Sequence, residues 1–123
     1  MILGLGLDIV EINRISHSYA KFKDRLVHKI LTPKEIENLP QNPISYLASR
    51  FASKEAGVKA LGTGFAQGIT FQHLEIKSSK SGQPHLYFLG PAYKKAQSLG
   101  CKRVHLSITH SRNTAAAVVI LEG

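Results

Sequence analysis

Residues 44–61, ISYLASRFASKEAGVKAL, carry the longest helical pattern in the chain, and the sequence punctuates both of its ends. Asn42-Pro43 opens the segment, and Gly62-Thr63-Gly64 closes it. Leu47, Phe51, Val58 and Leu61 recur at helical spacing on one face. Ala48, Ala52, Ala56 and Ala60 lie elsewhere on the helix and let another element approach closely. Lys54 interrupts the apolar stripe itself, which is odd for a helix that only packs.

The other elements are arranged around this helix. Residues 2–10 read as a strand, with Leu3, Leu5, Leu7 and Ile9 on one parity and Gly4, Gly6 and Asp8 on the other. Glycines beside an acid leave room for a ligand near the backbone. A tightly packed strand whose Asp8 pairs with a lysine accounts for them equally well. Residues 13–22 read as a helix with Asn13 at its N-cap. Thr32-Pro33-Lys34-Glu35 is a helix start with a capping box, and that helix stops by Pro40. Strands are expected at 73–77 and 85–89, joined by SSKSGQP, and at 103–109 and 115–121, joined by HSRNT. A helix from Pro91 to Ser98 ends at Gly100. The fold class is therefore α+β, with helices packed on a mostly antiparallel sheet, in one domain spanning 1–123.

At 123 residues and 43% hydrophobic content the chain can build a modest core. No stretch approaches the roughly 20 apolar residues of a membrane span. The apolar N-terminus carries Asp8 and lacks a basic leader, so it reads as a buried strand rather than a signal peptide. One cysteine, Cys101, excludes an internal disulfide and suits a reducing cytoplasm. Sixteen Lys and Arg against eight Asp and Glu give a formal charge of +8, which favours an anionic partner. The basic residues are dispersed and only 7% of the chain is aromatic, which argues against a nucleic-acid platform.

Glu55 and Lys59 stand at i, i+4 on the long helix. Such a pair stabilises an isolated helix by about 0.2–0.5 kcal/mol and needs no further explanation. Two features move the reading towards a site. Asp8 offers a second carboxylate, and Mg²⁺ takes one or two carboxylates together with substrate phosphates and water. Gly62-Thr63-Gly64 presents a backbone free of bulky side chains, from which N–H groups face an anion, although glycine at this place also caps a helix. Arg50 and Lys54 are candidate phosphate ligands. His110 ends an apolar strand face, either as a site residue or as a hydrogen-bonded strand-end histidine.

In order and spacing, GLGLDIVEINRI, RFASKEAGVKALGTG, SGQP and SITHS resemble the motifs of the holo-[acyl-carrier-protein] synthases, small 4′-phosphopantetheinyl transferases. The resemblance spans nearly the whole chain. It implies transfer of phosphopantetheine from coenzyme A to a serine of an acidic apo acyl carrier protein, in support of fatty acid biosynthesis. It further implies Mg²⁺ and a homotrimer with active sites between subunits. Carried over by motif, Asp8 and Glu55 resemble the metal-binding acids, and Lys59 the basic residue beside the scissile pyrophosphate. Arg50, Lys54 and Gly62-Thr63-Gly64 align with the coenzyme A-binding stretch. His110 resembles the histidine with which a neighbouring subunit contacts the nucleotide's 3′-phosphate. Arg14 aligns with a residue that docks the carrier, and Lys21, Lys23 and Arg25 extend that basic region. Thr109 stands where Ser is common and Gly57 where a bulkier residue is usual.

Two other functions remain compatible with the residues alone. A small basic module binding RNA or DNA keeps the charge and discards the site. A metal-dependent hydrolase of nucleotide diphosphates keeps the site and replaces the carrier serine with water.

Overall fold

The computed structural model describes residues 1–123. In chain order the elements are β1 (Ile2–Glu11), α1 (Ile12–Phe22), α2 (Asp24–Ile30), α3 (Pro33–Ile36), α4 (Ile44–Leu61), a 3₁₀ turn (Phe71–His73), β2 (Leu74–Ser78), β3 (Pro84–Phe88), α5 (Gly90–Ser98), β4 (Arg103–His110) and β5 (Thr114–Glu122). The strands form an antiparallel three-stranded sheet, β1-β5-β4, and a separate hairpin, β2-β3. The α+β expectation holds, and α4 has the bounds its sequence punctuation gives.

Helix α4 is the axle of the molecule. It lies across β1 and β5, and the glycines of β1 make the contact possible. A Cβ at Gly4 would collide with the carbonyl oxygen of Ala60, and one at Gly6 with that of Ala56. The space that these glycines leave is thus filled by the backbone of α4 and is not open to a ligand, which corrects the more permissive of the two expectations. Val119 and Leu121 of β5, both fully buried, pair with Gly6 and Gly4 in register and complete this layer under α4. Gly57 performs the same service on another side, where a Cβ would lie 2.7 Å from Leu74 Cδ2. A bulkier residue there would push the hairpin away.

The other face of the sheet departs from expectation. Leu5, Leu7 and Ile9 of β1 are 63%, 66% and 68% exposed. In register they sit beside Ile120, Val118 and Ala116 of β5. The apolar N-terminal run is therefore buried on one side only, and its leucine parity faces outward. The sequence reading also misses α2. Lys23, at φ 46°, breaks α1 and lets a second helix start at Asp24. The capping box at Thr32 forms as expected, with Glu35 N–H donating to Thr32 Oγ1 and Thr32 N–H to Glu35 Oε1. The two termini meet, the Met1 ammonium donating to Gly123 O at 3.1 Å and Gly123 N–H to Met1 O at 2.9 Å.

Candidate active site

The sheet face that carries Gly4 and Gly6 continues to Asp8, so Asp8 points to the same helix that the glycines admit. Lys59 Nζ lies 3.0 Å from Asp8 Oδ1 and 3.1 Å from Leu7 O. Its side chain is half exposed, whereas that of Asp8 is 15% exposed. Glu55, one turn earlier on α4, makes no hydrogen bond or ion pair within the chain. Burial, and then the Asp8 carboxylate, push its carboxyl above the usual glutamate range, with Lys59 pulling it part of the way back. Two acids and one ammonium thus share a half-buried corner that carries an excess of negative charge.

No third His, Cys, Asp or Glu joins these two acids in a metal-holding group. The donor set fits Mg²⁺, which usually keeps several waters and takes one or two carboxylates with substrate phosphates. It does not fit a metal that must be coordinated by the protein alone.

Arg50 and His110 come together elsewhere. Both line a groove of about 340 Å³ with Ser45, Ser49, Ser78, Gly82 and Pro84, so the SGQP hairpin forms one of its walls. A second groove, of about 540 Å³, shares Tyr46, Arg50 and Ser78 and adds Lys34 and Lys77. Arg50 stacks on the Tyr46 ring at 4.1 Å and donates from Nη1 to Ser49 Oγ at 3.1 Å. It pairs with no carboxylate, and its buried Nε has no partner. From Arg50 to Glu55 the helix rises about 7.5 Å and turns about 140°, so the acids and the Arg50 groove face different ways.

Three expected features are corrected. Lys54 is fully buried and takes no part in a phosphate site. Its ammonium donates to Ile30 O at 2.6 Å, Glu35 Oε1 at 2.7 Å and Phe71 O at 3.0 Å, which uses all three protons. Burial lowers its pKa while Glu35 opposes the shift. This ion pair explains the interruption of the apolar stripe. Secondly, the N–H groups of Gly62-Thr63-Gly64 do not face outward. Gly62 donates to Lys59 O, and Thr63 and Gly64 both donate to Val58 O, so this turn caps α4, with Gly62 at φ 80°. Thirdly, Asn13 is not the cap of α1; Glu11 holds that place without a side-chain bond.

Arg14 and Arg25 line a mainly apolar groove of about 330 Å³ with Val10, Ile15, Phe22 and Phe51. Lys21 lies over the Phe22 ring at 5.3 Å, Arg25 over the same ring at 5.2 Å and Lys23 over Tyr19 at 5.0 Å. The sequence reading misses Lys29 on this groove, and Tyr46, Lys34 and Lys77 around Arg50. Tyr46 carried a usable signal, since it precedes Arg50 by four residues on the same helix.

The model of the 4′-phosphopantetheinyl transferase superfamily matches residues 4–119. A holo-[acyl-carrier-protein] synthase of Maridesulfovibrio salexigens is 58% identical over 99% of both chains. Among solved structures, the holo-[acyl-carrier-protein] synthase of Neisseria meningitidis superposes with a TM-score of 0.91 at 38% identity, covering 100% of both chains. That of Helicobacter pylori, in complex with coenzyme A, gives 0.85 at 30% identity, covering 96% of this chain and 99% of its own. The match to the family model, which takes in both the Asp8 strand and the whole of α4, places this chain in the 4′-phosphopantetheinyl transferase superfamily.

Proposed function

We propose that this chain transfers 4′-phosphopantetheine from coenzyme A to a serine of an acidic apo acyl carrier protein, in the cytoplasm and in support of fatty acid biosynthesis. The observation that carries the reading is the Asp8–Glu55–Lys59 corner, in which Glu55 has no donor of its own and is perturbed by a second acid. The relatives' names and the coenzyme A in the Helicobacter pylori structure support the same substrate class.

Asp8 and Glu55 would hold Mg²⁺, which supplies charge neutralisation at the diphosphate when bound. Glu55 accepts the proton of the carrier serine as its oxygen bonds to the β-phosphorus. The bond from that phosphorus to the leaving adenosine 3′,5′-bisphosphate breaks, and Lys59 offsets or protonates the oxygen released. Arg50, with His110 in the same groove, receives the nucleotide phosphates. Arg14 and Arg25 orient the acidic carrier over the apolar groove they border, and Lys21, over the Phe22 ring, extends the same basic surface.

The acids and the Arg50 groove face different ways on one chain, whereas coenzyme A is long enough to need both. Self-association supplies the missing wall, and the exposed Leu5, Leu7 and Ile9 face suits that contact, so the reading includes a homotrimer with its sites between subunits. Mass spectrometry of the chain with coenzyme A, Mg²⁺ and an apo carrier tests the assignment. A phosphopantetheine mass gain on the carrier, lost in Asp8→Ala and Glu55→Gln, is expected. Free phosphopantetheine would mean hydrolysis, and near-normal transfer by both variants would remove the acids from the mechanism.

A further inference from the structure

We infer that Tyr46 is a positioning residue for coenzyme A binding: anchored to the backbone of Glu35, its ring holds the Arg50 guanidinium ready for a nucleotide phosphate. The inference rests on the phosphopantetheinyl transfer reading and names a residue that this reading does not need.

Seven contacts build the device. Glu35, 2% exposed, is fixed through its carboxylate by Thr32 N–H at 2.8 Å, Lys54 Nζ at 2.7 Å and Ile76 N–H at 2.8 Å. Its carbonyl oxygen accepts from Tyr46 Oη at 2.8 Å. The Tyr46 ring then lies 4.1 Å from Arg50 Cζ. Ser49 Oγ accepts from Arg50 Nη1 and itself donates to Tyr46 O at 2.9 Å, which closes a small loop around the guanidinium. Burial pushes the Tyr46 hydroxyl above the ordinary tyrosine value, so it remains a donor to Glu35 over the working pH range.

An unliganded arginine ordinarily samples many rotamers, and ordering them counts against binding. Here one face of the fork is covered by a ring and one nitrogen is tied, while no carboxylate forms an ion pair with it, Glu37 being the one acid that lines the second groove. Arg50 therefore waits as a pre-ordered cation between two grooves that also hold Lys34, Lys77 and His110. Lys54, whose own ammonium never reaches a ligand, enters this chain of contacts only through Glu35.

The test is a double-mutant cycle on the whole chain of 123 residues, with the KM for coenzyme A taken from the transfer assay and the dissociation constant for adenosine 3′,5′-bisphosphate measured by calorimetry. Tyr46→Leu is expected to raise both by about tenfold while kcat stays within about twofold, because it removes uniform binding. Tyr46→Phe, which keeps the ring and loses the anchor, should raise both by about threefold. In an Arg50→Ala background Tyr46→Leu should add nothing further, a non-additivity that a merely structural tyrosine would not produce. Additive losses in the cycle, or parent-like affinity in Tyr46→Leu, overturn the inference. Should Tyr46→Leu fail to fold, Tyr46→Phe decides alone, with an unchanged affinity counting against the anchor. A parent enzyme that neither transfers phosphopantetheine nor binds the bisphosphate would instead bring down the functional reading.

Discussion

Lys59 reaches Asp8 across the gap between α4 and β1 at 3.0 Å, while Glu55 on the same helix is left without a donor. The lysine answers one acid directly and the other only through space. Its removal therefore acts on Glu55 as well as on the reaction. In Lys59→Met the attraction that lowers the Glu55 pKa is lost, so the acid limb of kcat moves to higher pH. A loss of about 10²–10³ in kcat is expected at neutral pH, in line with removing one electrostatic stabiliser. A pH–rate profile with an unmoved acid limb would separate Lys59 from Glu55.

Stability carries an independent signature of the same corner. The folded-state pKa of Glu55 is raised above its unfolded value, so the native state binds the proton more tightly. At a pH below the unfolded value the carboxyl is protonated in both states and costs the fold nothing. As pH rises through the folded value the cost appears and then stays constant. Glu55→Gln should therefore melt above the parent near pH 8 and gain nothing near pH 4. Mg²⁺ should raise the parent's melting temperature at pH 8 through mass action and leave the variant nearly unmoved. Thermal melts at the two pH values, with and without Mg²⁺, check both statements.

The outward leucine face makes a different kind of prediction. Leu7→Glu places a charge in the middle of the exposed β1 patch without touching α4. Sedimentation should show a shift to monomer, circular dichroism an unchanged fold, and the transfer assay a loss of at least about tenfold. An active monomer would show that one chain builds the whole site.

Arg14→Glu should weaken use of the carrier protein while leaving the coenzyme A affinity nearly unchanged. Arg14 borders the groove between α1, α2 and α4, away from the grooves that contain Arg50. Complementary charge mainly sets the association rate and orientation, so the parent's advantage should shrink as salt rises. Equal loss for both ligands, at low and high salt alike, would point to damage to the fold.

Where a residue's role is set by its neighbours in sequence, the sequence was enough to read it. The Thr32 cap, the bounds of α4 and the two hairpin pairings, β2-β3 and β4-β5, follow from local turn chemistry and periodicity, whereas the long-range pairing of β1 with β5 does not. Periodicity also gives the placing of Asp8 on the glycine parity, which turns it towards the helix bearing Glu55 and Lys59. Lys54 shows the opposite case. Its partners Glu35, Ile30 and Phe71 are 17 to 24 residues away, and nothing local announces them. A lysine next to the candidate acid Glu55 therefore reads as a ligand when it is a strut. Gly62-Thr63-Gly64 was ambiguous for a similar reason, because a cap and a phosphate loop call on the same small residues. The leucine parity of β1 reads as buried because alternation shows that a face is apolar and not what covers it. In the proposed trimer that cover comes from another copy of the chain.

The meeting of Met1 with Gly123 makes the polypeptide almost a ring. Each terminus holds the other in register, at the open end of the β1–β5 pairing. A short bridge between them closes the circle with little rearrangement, and new ends then suit the exposed turn around Ser81 and Gly82, where few backbone bonds are at stake. In such a permuted chain the hairpin wall beside Arg50 would be cut while β1 and α4 stay whole. The order of residues along the chain is thus less binding than the order of layers in space.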